Sequence, residues 1–171
     1  VSDPCIVFWP EGIKSGGEIR TQYCHAIDLA PTVLEAVGIK APEMIRGVPQ
    51  SPIQGISFAE SFDDASAESG HHTQYFEMFG HRSIYHKGWK AVCPFPGPSF
   101  TEAAGKERYF GMPLTSELLN DLDANGWELY NVAEDPAETK NLAMEMNEKL
   151  RELVRMWYTE AGKYGALPLA S

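Results

Sequence analysis

Gln74-Tyr75-Phe76-Glu77-Met78-Phe79, Arg82-Ser83-Ile84-Tyr85 and Trp89-Lys90-Ala91-Val92 are the three short runs that decide the fold of this 171-residue chain. They are rich in residues that favour strands, and the gaps between them contain glycine and are only two or three residues long. This spacing predicts an antiparallel meander. Trp127–Asn131 has the same character, so we expect a sheet of three or four strands.

The C-terminal part of the chain predicts a long amphipathic helix. Its apolar residues recur at helical spacing: Leu142, Met146, Leu150, Leu153, Val154, Trp157 and Ala161. They form one face of a helix that Gly162 would end, and this face would pack across the sheet.

A short motif between the last strand and this helix combines an acidic residue, a proline and a second acid. Asp135 stands where an N-cap would be, Pro136 at the first helical position and Glu138 at the third. Because capping accounts for all of its polar residues, we interpret the motif as structural.

Two elements are predicted ahead of the sheet. Cys5–Trp9 is apolar at every position, which is typical of a strand covered on both faces. A helix is predicted over Asp28–Val37, with Asp28 as its cap, Pro31 inside the tolerant first turn and Gly38 at its end.

Irregular stretches separate these elements. Residues 41–72 are rich in proline and predict a surface connection with one short helix at Phe58–Phe62, whereas Pro94–Gly111 predicts a long loop. We therefore expect an α/β (α+β) chain with three parts: a strand and helix in 1–40, the connection, and the sheet with its helix in 73–171.

Composition excludes several classes of function. The 24 acidic and 14 basic residues give a net charge of −10, which disfavours nucleic acid as a partner. The longest apolar run, Cys5–Trp9, is far shorter than the roughly 20 residues of a membrane span, so no membrane partner is expected. Cys5, Cys24 and Cys93 cannot all pair within the chain and have no metal-type spacing, which excludes a disulfide scaffold.

The sequence contains no convincing catalytic or metal site. The histidine-rich region holds His71, His72, His81 and His86, but no carboxylate stands at ligand spacing, and we interpret these residues as solvent-facing or sheet-face histidines. His25 lies next to Cys24 in sequence, and neighbours on a strand point to opposite faces. No GxSxG or SxxK nucleophile motif occurs. We therefore predict neither catalytic residues nor metal ligands in this chain.

Four segments, read in order, resemble the C-terminal part of the sulfatase family within the alkaline-phosphatase superfamily. They are Pro4–Ile13, His25–Leu34, Arg82–Lys90 and Trp127–Leu142. The stretch 83–98 is most similar to the large bacterial arylsulfatases. The resemblance implies that the first strand and helix are the last ones of an alkaline-phosphatase-like domain, followed by the small C-terminal sheet and helix. It leaves open whether the protein is from a bacterial cytoplasm or periplasm.

The family hydrolyses sulfate monoesters with a formylglycine made in a C-x-P-x-R context and with a calcium ion. In this sequence Cys93 is followed by Phe95 and Gly97 where that motif needs Pro and Arg. The resemblance therefore places the nucleophile and the calcium ligands in an N-terminal catalytic domain of the same polypeptide. It implies that the chain is a fragment that stabilises this domain and is inactive alone.

We expect the fragment to help shape the entrance for a sulfate ester substrate. The candidate rim residues are His81, His86, Phe95 and Phe100, because the long loop after the third strand is stiffened by proline and rich in aromatic residues.

Two other functions remain open at this stage. One is a phosphonate or phosphate monoester hydrolase of the same superfamily, and the other is a non-catalytic assembly module. A strand and helix without their sheet would expose apolar surface, so we also expect possible self-association of the isolated chain.

Overall fold

The computed structural model describes residues 3–78, 80–93 and 126–167. The chain divides into two compact units. The first unit comprises residues 3–72, and the second contains the described residues from Thr73 onward. Each unit has its own secondary structure and is described by itself.

The helices of the first unit lie close to where the sequence predicts them. A 3-10 helix at Ala26–Asp28 leads directly into helix α1, Leu29–Ala36. Gly38 follows the helix with a φ of 68°, a left-handed conformation that commonly ends helices. A second 3-10 helix spans Ala59–Phe62 and confirms the predicted short helix.

The first unit also contains a small hairpin that the sequence interpretation missed. Strands β1 (Met44–Ile45) and β2 (Val48–Pro49) pair antiparallel. The residues between them, Arg46 and Gly47, both have positive φ, at 50° and 82°, as a type I′ turn requires. Proline argues against a central strand, but it is tolerated in a two-residue strand at an edge.

The predicted strand Cys5–Trp9 is wrong for this chain. No strand forms there, and Ile6 and Phe8 are 92% and 88% exposed. A strand needs a neighbour for its backbone hydrogen bonds. Within the described residues the paired strands lie elsewhere, so the apolar pattern has no sheet to join.

The second unit contains the predicted antiparallel sheet. Its strands are β3 (Thr73–Met78), β4 (His81–His86), β5 (Trp89–Cys93) and β6 (Glu128–Asn131). They are hydrogen-bonded in sequence order, which confirms the four-stranded meander. Lys87 and Gly88, with φ of 46° and 82°, form the tight turn between β4 and β5. The predicted end of the first run, Phe79, and the predicted loop Pro94–Gly111 lie outside the described residues.

Helix α2, Asn147–Lys163, packs on this sheet. It buries Leu153, Trp157 and Ala161 against sheet residues that include Ile84, Ala91 and Leu129. The helix begins at Asn147, five residues after Leu142, where the predicted apolar face begins. Leu142 donates its backbone N–H to Leu129 O at 2.8 Å, so this part of the chain lies along β6 before the helix begins.

The predicted helix start at Asp135 is also wrong, although its capping chemistry is real. No helix forms there, and the Asp135 carboxylate accepts hydrogen bonds from the backbone N–H groups of Thr139 (2.7 Å) and Lys140 (2.9 Å). Glu138 has a φ of 56°, which a right-handed helix cannot contain. The motif therefore closes a turn.

Candidate functional site

The strongest cluster of ionisable groups in the first unit surrounds Asp28. Its carboxylate is buried, with 1% of the residue exposed, and accepts hydrogen bonds from the backbone N–H groups of His25 (2.7 Å) and Ile56 (2.8 Å). His71 Nδ1 lies 2.8 Å from Oδ1 and 2.7 Å from Oδ2. We call Asp28, His25, Ile56 and His71 the Asp28 cluster. It joins three separate segments of the unit.

The local sequence places Asp28 at the junction of the first 3-10 helix and α1. One turn later, Thr32 Oγ1 donates to Asp28 O at 2.6 Å and accepts from the backbone N–H of Phe58 at 3.1 Å. Gly55 lets its segment come close, because a Cβ there would lie 2.1 Å from Ile27 O. Backbone groups around α1 are therefore satisfied by two buried polar side chains.

The rings near His71 complete the surroundings of the cluster. The Tyr23 and His25 rings stand edge-on to the His71 ring, with centroids 5.6 Å and 6.2 Å away. Burial lowers the pKa of His25, and the charge of His71 lowers it further, while the Asp28 carboxylate opposes the shift. The neutral imidazole of His25 is thus favoured in the folded chain.

The Asp28–His71 contact has the geometry of a carboxylate that orients an imidazole. In hydrolases such a pair activates a nearby nucleophile. Here the hydroxyl of Ser69, two residues before His71, donates to Tyr23 O and accepts from the His71 backbone N–H. The pair is thus a clamp within the first unit.

A second polar clamp in this unit centres on Arg20. Its guanidinium donates to Ser61 O at 2.6 Å from Nε, to Ser15 Oγ at 3.0 Å and to Glu18 at 2.8 Å. Because Ser61 belongs to the second 3-10 helix, Arg20 fixes this helix to the extended N-terminal part of the unit.

The first unit also has an apolar groove with a volume of about 260 Å³. It is lined by Val7, Phe8, Trp9, Leu29, Thr32, Val33, Ala36, Val37, Phe58 and Phe62. Several of these residues are largely exposed, and Phe8 and Val33 are 88% and 60% accessible. We call this surface the apolar groove.

In the second unit, Arg82 is enclosed in the core. It is 1% exposed, and its guanidinium donates to Tyr158 Oη at 2.9 Å and to Cys93 Sγ at 3.2 Å. Its central carbon lies 5.2 Å from the Trp127 ring centroid and 5.7 Å from that of Trp157. The two rings stabilise the cation through their π faces, so Arg82 links β4, β5 and α2.

The opposite face of the sheet carries half-buried charged and phenolic groups. Lys90 Nζ lies 2.7 and 2.8 Å from the two carboxylate oxygens of Glu138. Burial acts to raise the pKa of Glu138, whereas the hydrogen bond and charge of Lys90 act to lower it, and the net shift is downward. Burial raises the pKa of Tyr130 to about 12, helped by its hydrogen bond to the Glu128 carboxylate.

The structure describes two of the four predicted rim residues, His81 and His86. His81 is the first residue of β4 and His86 the last, so about 16 Å of strand separates them and they point to opposite faces. His86 Nδ1 lies 2.8 Å from Thr73 Oγ1 on β3. Phe95 and Phe100 lie outside the described residues, so a substrate rim stays a prediction.

The parts of the chain that the structure describes contain no group of three or more His, Cys, Asp or Glu side chains that could hold a metal ion. No helix among them is long and apolar enough to cross a membrane.

The Asp28 cluster was missed by sequence reasoning. Asp28 was assigned only a capping role, and His71 was interpreted as solvent-facing or on a sheet face, whereas it is buried. The two residues are 43 positions apart, and no local spacing connects them. Only the fold brings them into contact.

No family model matches the chain. Among curated proteins, it is 27% identical over 185 residues to human N-sulphoglucosamine sulphohydrolase, a match that covers 93% of this chain and 37% of that protein. It is also 24% identical over 159 residues to N-acetylglucosamine-6-O-sulfatase of Bacteroides thetaiotaomicron, which covers 90% of this chain and 24% of that protein. These matches support the sulfatase family.

A solved structure shares the fold of this chain. The protein BT4656, solved in complex with its substrate D-glucosamine-2-N,6-O-disulfate, matches 94% of this chain with a TM-score of 0.53 and 18% identity. The likeness to this structure confirms the predicted fold class. The chain spans 37% and 24% of the lengths of the two curated relatives.

Proposed function

We propose that this chain is part of a sulfatase whose whole polypeptide hydrolyses sulfate monoesters. The observation that carries the proposal is the likeness to two sulfatases along 90% or more of the chain. The described residues support a positional share in that activity. Two of their buried polar contacts join separate segments, namely Asp28 with His71 and Arg82 with Tyr158. In this proposal the chain is inactive by itself.

The partner in this proposal is the N-terminal catalytic domain of the same polypeptide. The apolar groove supports it, because covering an exposed apolar surface removes it from water, which is favourable. The domain would lie against Phe8 and the exposed side of α1. Shaping of the substrate entrance would come from the second unit and the segment that follows Cys93.

Calcium and a formylglycine are expected in the whole sulfatase. The described residues do not fit a calcium site, since none of their acidic groups form a cluster that could hold a metal ion. We propose, from the resemblance, that both groups belong to the N-terminal catalytic domain of the whole polypeptide. Calcium supplies positive charge that stabilises a transferring anionic group in enzymes of this kind.

Two substrate classes are in competition within this proposal. The resemblance of stretch 83–98 to the large bacterial arylsulfatases favours aryl sulfates. The names of the matched relatives favour sulfated amino sugars, because both act on a sulfated glucosamine. We propose aryl sulfates as the first candidate and sulfated amino sugars as the second.

The test is turnover by the whole protein that contains this chain. We expect release of 4-nitrophenol from 4-nitrophenyl sulfate and much slower release from 4-nitrophenyl phosphate. Faster turnover of glucosamine 6-sulfate or N-sulfoglucosamine would select the second candidate. Faster turnover of the phosphate would contradict the proposal in favour of a phosphomonoester hydrolase, and no turnover of any ester would favour an assembly module.

The rim hypothesis has a test of its own in the same protein. His86→Ala and Phe95→Ala should change the ratio of kcat/KM values between a small and a bulky sulfate ester. Glu145→Ala is a matched control, because Glu145 forms an exposed ion pair with Lys140 far along the chain from β4. Equal ratios in all four proteins would contradict a role of these residues at the entrance.

A further inference from the structure

The Asp28 cluster contains two histidines that share one buried carboxylate. Asp28 Oδ2 accepts the backbone N–H of His25 and also contacts His71 Nδ1, each at 2.7 Å. The two imidazole rings stand edge-on to each other with centroids 6.2 Å apart. Positive charges on both His25 and His71 would repel each other, and the single Asp28 carboxylate cannot neutralise two of them.

His25 has a structural task that depends on its protonation state. It is the N-cap of the 3-10 helix Ala26–Asp28, and its Nδ1 accepts the backbone N–H of Ile27 over a long contact of 3.5 Å. A protonated imidazole is a donor at both nitrogens and cannot accept this bond. Protonation therefore removes the cap at the position where Asp28 is held.

The other titratable groups that face His25 are few within the described residues of this unit. They are Asp28 and His71, whose side chains contact each other, Tyr23, which stands beside His71, and Cys24, which precedes His25 in the chain. Burial, then the charges of Cys5 and Asp28, raises the pKa of the Cys24 thiol, so it is neutral in mildly acidic solution. Among these groups, the Asp28 carboxylate counters a positive charge on His25.

We propose that His25 is the sensor of an acid-sensitive latch. On protonation, His25 releases the turn Ala26–Asp28, and the Asp28 carboxylate then loses its fixed position between the segments at Ile56 and His71. The first unit loosens at the start of α1, while the second unit keeps its sheet. This device is independent of the proposed sulfatase activity.

The sign of the pH effect follows from the lowered pKa of His25. A histidine with a lowered folded-state pKa stabilises the fold fully above its unfolded value, 6.5, and this contribution is lost as pH falls through the folded value. For each unit by which the folded-state pKa of His25 is lowered, the hydrogen-exchange protection of the latch should fall by up to tenfold.

Two measurements on the full 171-residue chain test the latch. The first is an NMR titration of the His25 ring, in native buffer and in denaturant. We expect a lower midpoint in the native chain, and an equal or higher midpoint would overturn the proposal. This titration needs no variant, so it stands even if a substituted chain fails to fold.

The second measurement is amide hydrogen exchange of residues 26–36 at pH 7 and pH 5, corrected for the intrinsic effect of pH. We expect protection to fall at pH 5 in the wild type and to stay constant in His25→Asn, because asparagine can cap the turn but does not titrate. His72→Asn is the matched control, since His72 is an exposed neighbour of the cluster and should keep the wild-type response. The same loss at pH 5 in His25→Asn would exclude His25 as the sensor.

Discussion

The two units of the chain are held together by different kinds of interaction. The four residues buried in the first unit, Asp28, Thr32, Ser61 and His71, are all polar. The second unit has an apolar core to which both the sheet and α2 contribute, for example Ile84 of the sheet and Trp157 of α2. The first unit depends on directed hydrogen bonds, and the second depends on apolar burial.

The difference predicts where each unit is sensitive. The net contribution of one hydrogen bond to folding stability is about 1 kcal/mol, but a buried donor left without an acceptor costs about 1–3 kcal/mol. Apolar burial contributes roughly 25 cal/mol per Å² and is spread over many contacts. The first unit should fail through the loss of one polar group, whereas the second should weaken in proportion to the volume removed from its core.

Trp157→Ala should cause the largest loss of stability. Trp157 is fully buried, and its Nε1 donates to Phe76 O at 3.0 Å, so the change removes a large apolar group and leaves a carbonyl without its partner. We expect the free energy of unfolding to fall by about 3–5 kcal/mol. Urea unfolding followed by circular dichroism measures this. Met144→Ala is the control, because Met144 is 93% exposed and should change stability little.

Asp28→Ala should cause the next largest loss and should act on the first unit. It leaves the N–H groups of His25 and Ile56 and the His71 imidazole without their acceptor, so we expect a loss of about 2–3 kcal/mol. Hydrogen exchange in residues 24–60 measures the effect. Asp63→Ala, an exposed acid in the same unit, should be silent. Unchanged protection in Asp28→Ala would show that the first unit is not held by this cluster.

The same contrast explains what the sequence could predict. The strands of the second unit and helix α2 were found because residues one turn or one strand apart carry the signal, as with Ile84 opposite Ala91. Their turns are local as well, and Lys87-Gly88 marks one of them. The buried apolar residues of the second unit recur at the spacing of strands and helices, so its elements could be predicted from the local sequence.

The first unit was less predictable because its contacts are long-range. Cys5–Trp9 has the pattern of a buried strand, but a pattern cannot reveal whether a neighbouring strand is present. The pairing of Asp28 with His71 joins residues 43 positions apart, and both have ordinary local explanations. The candidate rim stays a prediction, since Phe95 and Phe100 lie outside the described residues.

The apolar groove of the first unit predicts concentration-dependent self-association of the isolated chain. Burying a phenylalanine side chain contributes about 1.5–3 kcal/mol, so Phe8→Ser should weaken association about tenfold or more. Sedimentation velocity over a range of concentrations measures this. Met144→Ser removes an equally exposed apolar side chain from the second unit and should leave association unchanged. A wild-type chain that stays monomeric throughout would contradict the prediction.

Glu138→Gln should have the smallest effect and shows how little a partly exposed ion pair adds to an apolar core. Glu138 and Lys90 are 20% and 28% exposed, so their pairing should contribute about 1 kcal/mol or less. Because the pKa of Glu138 is lowered, this contribution is present above its usual value of 4.5 and is lost as pH falls through the folded value. Urea unfolding at pH 7 and pH 3.5 should show a larger difference between wild type and variant at pH 7 than at pH 3.5. Glu145→Gln breaks the more exposed pair with Lys140 and should have no effect at either pH. A loss in Glu138→Gln as large as that in Asp28→Ala would mean that polar contacts govern the second unit as well, and the contrast between the two units would fail.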